Sequence, residues 1–331
     1  MPRSDGHGPP GEGAPAITVR ERLTESEARD VLALVEAATE QDGVGPLSEH
    51  AMLHVRHGGD PRARDLLLAS NGEVAGYAHL DPTDPVEGPS GELVIHPAHR
   101  GQGLGLLLTR ALVAEAGERP LRLWAHGDLP AAARLAAAAG FERVRALWKM
   151  RRPLQTELDE PRVADGVTIR TFAVGRDEDA WTDLNARAFA RHPEQGSWTR
   201  EDLDVRERER WFDPDGFFLA ERGSKLVGFH WTKIHSSGSG DAEPGEHEPI
   251  GEVYVVGVDP SEQGTGLGRA LTLIGLRYLR GRGLSEVMLY VDESNTPAIR
   301  LYESLGFIHT GTDVMFANGP VSTHDAEPGL T

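Results

Sequence analysis

Arg100-Gly101-Gln102-Gly103-Leu104-Gly105 recurs, in altered form, as Gln263-Gly264-Thr265-Gly266-Leu267-Gly268. Each copy follows a short β-like run that includes a proline at its end, Leu93–Pro97 and Val253–Pro260, and each opens an apolar helical pattern. A strand, a glycine loop and a helix start surround one point with unpaired backbone N–H groups and the positive end of a helix. That arrangement is an anion site suited to a pyrophosphate. Two copies in one chain of 331 residues indicate duplication, and each half is long enough to bury its own core.

Outward from the two loops, the same order of elements repeats. The first half opens with a strand over Ile17–Leu23 and a helix from the Thr24 cap, with Val31, Leu32, Leu34 and Val35 as its apolar face. A hairpin over Asp65–Leu80 turns at Asn71-Gly72. Strand Glu92–His96, helix Gly105–Ala116, strand Leu121–Ala125, helix Pro130–Ala139 and strand Arg143–Arg151 follow. The second half reads as strand Val167–Ala173, helix Glu178–Ala190, hairpin Gly216–His235 and strand Gly251–Val258. Helix Leu267–Arg280, strand Val287–Val291, helix Pro297–Leu305 and strand Ile308–Phe316 complete it. The expected fold class is α/β (α+β), with domains over 16–153 and 167–320 and a proline-bearing linker over 154–166. Tails cover 1–15, which reads as disordered, and 321–331. Ser236–Pro249 reads as an acidic Gly/Ser-rich insertion in a loop.

Composition narrows the function classes. A net charge of -18 argues against nucleic acid or an anionic membrane as partner. The absence of cysteine removes disulfides, thiolate nucleophiles and cysteine metal sites, and it fits a reducing cytoplasm. No apolar run approaches the roughly 18 residues of a membrane helix. The histidines show no ligand spacing of the His-Glu-x-x-His kind, so no metal is expected. A monomer is expected.

Each half resembles the GNAT-type acetyltransferase superfamily. Its acyl-CoA signature, Gln/Arg-x-x-Gly-x-Gly/Ala, is met by Arg100, Gly103 and Gly105 and again by Gln263, Gly266 and Gly268. The stretch from Asn295 through Tyr302 to Gly306-Phe307 is similar to the superfamily's second CoA-contacting segment. Strings in both halves, namely 36–49, 192–199, 228–233 and 251–260, resemble a narrower family, the mycothiol synthases, which are tandem acetyltransferases of actinobacteria. This resemblance implies two tandem domains, each a mixed, mostly antiparallel sheet flanked by helices. It implies acetyl-CoA as co-substrate and N-acetylation of the cysteinyl amine of 1D-myo-inositol 2-(L-cysteinylamino)-2-deoxy-α-D-glucopyranoside, a thiol-bearing pseudodisaccharide. The alternatives are a tandem acetyltransferase for another amine, such as an aminoglycoside or a protein N-terminus, and a non-catalytic acetyl-CoA-sensing module.

The same resemblance assigns the residues. Acetyl-CoA in the second half would lie on the backbone of Val256, Gly257 and Val258, on the loop Gln263-Gly264-Thr265-Gly266-Leu267-Gly268-Arg269, and on Asn295-Thr296-Pro297-Ala298-Ile299-Arg300. In the first half it would lie on Leu93-Val94-Ile95 and Gly101-Gln102-Gly103-Leu104-Gly105-Leu106. Glu252 is the implied general base and Tyr302 the general acid; Glu36, Glu194, Lys233, Glu252 and Tyr290 would bind the substrate. Glu252 heads an otherwise apolar strand, where partial desolvation favours a basic carboxylate. Tyr302 shares its helix with Leu301 and Leu305, a pattern that ordinary packing also produces, and Asn295 with Pro297 also reads as a helix cap.

The two halves are not equivalent in chemistry. Aligning Pro97 with Pro260 sets Glu252 opposite Pro89, not Glu92. Aligning Gly140-Phe141 with Gly306-Phe307 sets Tyr302 opposite Ala136 and Asn295 opposite Leu129. The first half is therefore expected to bind acetyl-CoA without turning it over.

Overall fold

The computed structural model describes residues 14–83, 88–190, 196, 198–235 and 249–319. The 1–13 part of the N-terminal tail, Glu194 and most of the 236–249 insertion lie outside them. The described chain forms two compact units, one from 14–145 with 313–319 and one from 146–312.

In the first unit, β1 (Ala16–Arg20), β2 (Arg64–Ser70), β3 (Glu73–Asp81) and β4 (Ser90–Ile95) run antiparallel in sequence order. β5 (Arg122–His126) joins β4 in parallel, and antiparallel β12 (Ile308–Ala317) pairs with β5. α1 (Glu25–Asp42) starts at a capping box of Thr24 and Glu27 and stops at Gly43, which turns left-handed at φ 73. α1 and α2 (Glu49–His57) cover the sheet with Val31, Leu34, Val35, Ala51, Met52 and Val55, against Leu67, Tyr77 and Val94. α3 (Leu104–Ala116) and α4 (Pro130–Ala138) complete the unit.

The second unit repeats this plan. β7 (Val167–Thr171), β8 (Phe217–Arg222), β9 (Lys225–His235) and β10 (Ile250–Val258) are antiparallel, and β11 (Glu286–Asp292) joins β10 in parallel. β6 (Glu142–Pro153) pairs antiparallel with β11. Its helices are α5 (Glu178–Ala188), α6 (Arg200–Glu207), α7 (Leu267–Gly281) and α8 (Thr296–Ser304). One face of the sheet packs Val253, Val287, Leu289 and Val291 against Leu276 and Leu279 of α7 and Ile299 of α8. The other face holds an aromatic core of Trp181, Phe217, Phe229 and Trp231. Gly251 permits the close approach of α7, because a Cβ there would stand 2.9 Å from Leu279 Cδ1.

The last strand of each sequence repeat is exchanged. β6 follows the first repeat yet completes the second sheet, and β12 follows the second repeat yet completes the first. Side chains fix the exchange at both places. Arg152 of β6 is buried and donates to the Leu305 carbonyl at the end of α8 and, at 2.5 Å, to Thr156 Oγ1. Asp313 of β12 lies 3.1 Å from His126 of β5, and Asn318 Oδ1 accepts from the Leu121 N–H at 2.8 Å. The sequence repeat divides the chain at 153 and 320, whereas the compact units divide it after 145 and after 312.

Candidate active site

The two glycine loops have the same backbone. Gly101, Gly103, Gly264 and Gly266 all take positive φ, between 76° and 85°, and a Cβ on any of them would meet nothing within 4 Å. Gly103 and Gly266 cap α3 and α7 with no side-chain bond, so the first-turn N–H groups face open space. Unfilled helix N-termini with that clearance suit phosphate oxygens. The flanking cations are already engaged. Arg100 forms a bidentate pair with Asp42 at 2.7 and 2.8 Å, and Arg269 binds Ser304 Oγ at 2.8 Å and Asp159 at 2.6 Å.

Next to each loop the sheet opens. β10 and β11 pair only at Gly251–Val287 and Glu252–Met288, and beyond Glu252 they part. The backbone edge of Val256, Gly257 and Val258 toward β11 is left without a strand partner. A bulge at Tyr254 accompanies the parting, since Val253 pairs with Thr232 and Val255 with Trp231. β4 and β5 likewise pair only at Ser90 and Gly91 and leave Leu93, Val94 and Ile95 beyond the junction, but β4 carries no bulge against β3.

That bulge sets the correspondence between the halves. Gly76 pairs with Ile95 and Gly228 with Val258, each two residues before its loop proline. Asp81 and Lys233 stand equally far beyond those glycines, and they pair with Ser90 and Glu252. Ser90, not Pro89, thus occupies the place of Glu252, because β10 carries one extra residue. Glu92 is spent on structure. It accepts the Ser48 N–H at 2.6 Å and pairs with His126 at 3.8 Å. Burial raises the Glu92 carboxyl pKa, but His126 and the Ser48 N–H outweigh it and hold the group below its ordinary range. Burial lowers His126, yet Asp313 and Glu92 prevail and lift it to about 10. Ala136 does occupy the place of Tyr302, for the Phe141 N–H donates to the Ala136 carbonyl as the Phe307 N–H does to that of Tyr302.

Glu252 lies on the sheet face opposite Val253, Val287 and Leu289, beside Lys233, its direct partner on β9. It is buried, and His235 Nε2 stands 2.7 Å from its Oε2. A carboxylate only accepts, so the imidazole donates. Lys233 is also buried, with Nζ 5.0 Å from the Trp211 ring centre and 5.9 Å from that of Tyr254. Arg206 stacks on Trp198 at 3.7 Å and donates to the Tyr254 hydroxyl at 3.2 Å. His235, Arg206 and Trp211 carried no sequence signal of their own, whereas Trp198 lies in the 192–199 string that carries the family resemblance. Only the alternation of β9, which sets His235 on the same face as Lys233, could have singled out the first of them.

Tyr302 lies on α8, which packs on the opposite face of the sheet from Glu252. Its ring meets Phe307 edge-on at 5.7 Å, and its hydroxyl has no hydrogen-bond partner among the described residues. Desolvation pushes the phenol up to about 12. Asn295 caps α8, its Oδ1 accepting the Ala298 N–H at 3.2 Å, with Pro297 in the first turn. Thr296, Pro297 and Arg300 are exposed, and Ile299 is buried in the core. Tyr290 is 37% exposed on the Glu252 face of β11, with Lys149 Nζ 6.0 Å from its ring centre. Glu36 is exposed on α1 in the first unit.

Comparison with known proteins agrees with this geometry. The profile of the acetyltransferase (GNAT) family matches residues 32–141 and 179–307. The chain is 60% identical to a mycothiol acetyltransferase of Acidothermus cellulolyticus over 94% of both chains. It is 61% identical to a mycothiol acetyltransferase of Thermobispora bispora, over 91% of this chain and 99% of that one. Among solved structures, a GCN5-related N-acetyltransferase from Sphaerobacter thermophilus superposes with a TM-score of 0.73 at 27% identity, covering 91% of this chain and 95% of that one. A tandem GNAT protein from the clavulanic acid biosynthesis pathway shares the fold, with a TM-score of 0.68 at 21% identity, covering 93% of this chain and 100% of that one. With the glycine loop, the parted strands and the tyrosine helix all present in the second unit, the chain belongs to the acetyltransferase (GNAT) family in its tandem form, among the mycothiol acetyltransferases.

Proposed function

We propose that the chain transfers the acetyl group of acetyl-CoA to the cysteinyl amine of 1D-myo-inositol 2-(L-cysteinylamino)-2-deoxy-α-D-glucopyranoside, giving mycothiol and CoA. The observation that carries the reading is the opening between β10 and β11 directly beyond Glu252. Glu252 stands on one face of that opening and the helix of Tyr302 packs on the other. A thioester threaded through it meets an amine on the Glu252 side and leaves its thiolate on the Tyr302 side. The pyrophosphate rests on the N–H groups of the 263–269 loop, and the pantetheine arm runs along Val256–Val258 and the start of α8. Backbone N–H groups of the unpaired edge polarise the thioester carbonyl and stabilise the oxyanion as the amine attacks. Glu252 accepts the ammonium proton, directly or through water, and Tyr302 protonates the departing thiolate.

Lys233 and Tyr290, both on the Glu252 face of the second unit's sheet, hold the hydroxyl-rich part of the substrate through charge-assisted and phenolic hydrogen bonds, and the substrate roles of Glu36 and Glu194 rest on the resemblance to the mycothiol synthases alone. The reaction belongs to the cytoplasm, where thiols stay reduced, and no helix among the described residues is long and apolar enough to cross a membrane. Incubation with acetyl-CoA and the des-acetyl thiol, read by product mass, tests the reading. One added acetyl group that survives treatment cleaving thioesters is expected. Acetylation of an aminoglycoside or a peptide N-terminus in preference to the thiol would overturn the substrate assignment.

His235 acts here as a positioning residue. Its Nε2–H donates to the Glu252 carboxylate and holds it in place. His235→Phe removes that donor and is expected to lower kcat about tenfold with acetyl-CoA affinity near that of the wild type, while His235→Gln, which can still donate, should recover part of the loss. Unchanged kcat in His235→Phe would leave the imidazole with a packing role only.

The first unit binds acetyl-CoA without catalysis. It keeps the open loop and the parted strands but has Ser90 and Ala136 where the second unit has Glu252 and Tyr302. Equilibrium dialysis should find up to two acetyl-CoA sites per chain, and Gly103→Glu should remove one. That substitution forces a side chain onto φ 80 and sets a carboxylate among the phosphates. Unchanged stoichiometry in the variant would argue that the first loop is empty.

A further inference from the structure

We propose that His54, Asp65 and His79 form a divalent-metal site in the first unit, with the chemistry of zinc, that ties α2 to the β2–β3 hairpin. The three residues come from different elements. Asp65 and His79 are direct cross-strand partners, and His54 reaches them from the last turn of α2. They are 0%, 3% and 5% exposed. One ligand atom from each lies within 4.8 Å of the others.

The hydrogen bonding of the cluster is lopsided. Asp65 Oδ1 accepts from the Tyr77 hydroxyl at 2.6 Å and stands 3.2 Å from His79 Nδ1. Its other oxygen, His54 Nε2 and His79 Nε2 have no hydrogen-bond partner, although all three are buried. His54 Nε2 and Asp65 Oδ2 stand 3.3 Å apart without hydrogen-bond geometry. Buried polar atoms are seldom left unpaired, and three in one cluster call for a common partner. Zinc bonds of about 2.0–2.2 Å at tetrahedral angles separate neighbouring ligand atoms by roughly 3.4 Å. The 3.3 Å separation matches such an edge.

Two imidazoles and one carboxylate suit zinc among the common divalent ions. Tyr77 already supplies the outer contact that orients a ligating carboxylate. The neighbouring groups are His50, whose ring is 6.0 Å from that of His79, and Asp81, 3.3 Å from His50 Nε2. None of the three ligands belongs to the acetyl-transfer machinery, so the ion's role is to hold the first unit together. No short ligand spacing marks the site in the sequence, because folding alone brings positions 54, 65 and 79 into contact.

The test uses the full-length untagged chain, stripped with a chelator, given zinc or cobalt(II), and passed through a desalting column. About one retained ion per chain is expected, with the visible d–d bands of low-coordinate cobalt(II) and a higher Tm for the zinc-loaded chain than for the stripped one. His79→Gln and Asp65→Asn should lose both retention and the Tm response. Wild-type chain that retains no more ion than His79→Gln, or that shows no such cobalt bands, would overturn the site and leave a buried His–Asp–His ion network. The cobalt spectrum of the wild type decides the matter even if a variant fails to fold.

Discussion

Replacing Tyr302 with phenylalanine is expected to lower kcat by about 10²–10⁴-fold, the range for losing a positioned general acid. Acetyl-CoA affinity should change little, since the loop and the strand edge proposed to bind it are untouched. The ring's packing against Phe307 survives the substitution, so the loss is confined to the hydroxyl. That hydroxyl is pushed up to about 12 by desolvation and therefore keeps its proton throughout the working pH range. The phenol is protonated below its pKa, so raising that value extends the acid form to higher pH. No fall in rate from Tyr302 ionisation should appear below about pH 11. Single-turnover measurement separates binding from chemistry. Ordinary turnover in the variant would remove Tyr302 from the mechanism.

The parts of the site legible in the sequence are those held by local backbone geometry. The glycine loops, their helices and the Asn295 cap are each fixed within a few residues, so spacing alone points to them. The strand exchange is a different matter. β6 and β12 have similar strand patterns, and nothing local says which sheet each one completes. That choice rests on distant partners such as Arg152 with the Leu305 carbonyl and His126 with Asp313. The halves consequently cannot be parted at the 154–166 segment without stripping β11 of β6. The Tyr254 bulge was equally hidden, because one extra residue in a strand leaves the polar and apolar order intact while shifting register. Helices α2 and α6, nine and eight residues long, also gave no periodic signal strong enough to read.

Glu252→Gln should cost about 10²–10⁴-fold in activity near neutral pH, as expected for loss of a general base. The replacement keeps the shape of the side chain, and its amide oxygen can still accept from His235 Nε2, so the buried contact is preserved. What is lost is the ability to take a proton. An α-amino group has a pKa of roughly 8, so near neutrality most of the substrate arrives as ammonium and cannot attack. In the proposed mechanism the carboxylate removes that proton inside the site, on the sheet face it shares with its cross-strand partner Lys233. In the variant, attack waits for amine deprotonated in solution. Activity should therefore climb steeply with pH and recover part of its loss at alkaline pH, where free amine is abundant. Acetyl-CoA binding should remain near that of the wild type, because no part of the loop or of the Val256–Val258 edge changes. A kcat/KM profile of wild-type shape, merely scaled down, would mean that Glu252 orients the amine without accepting its proton.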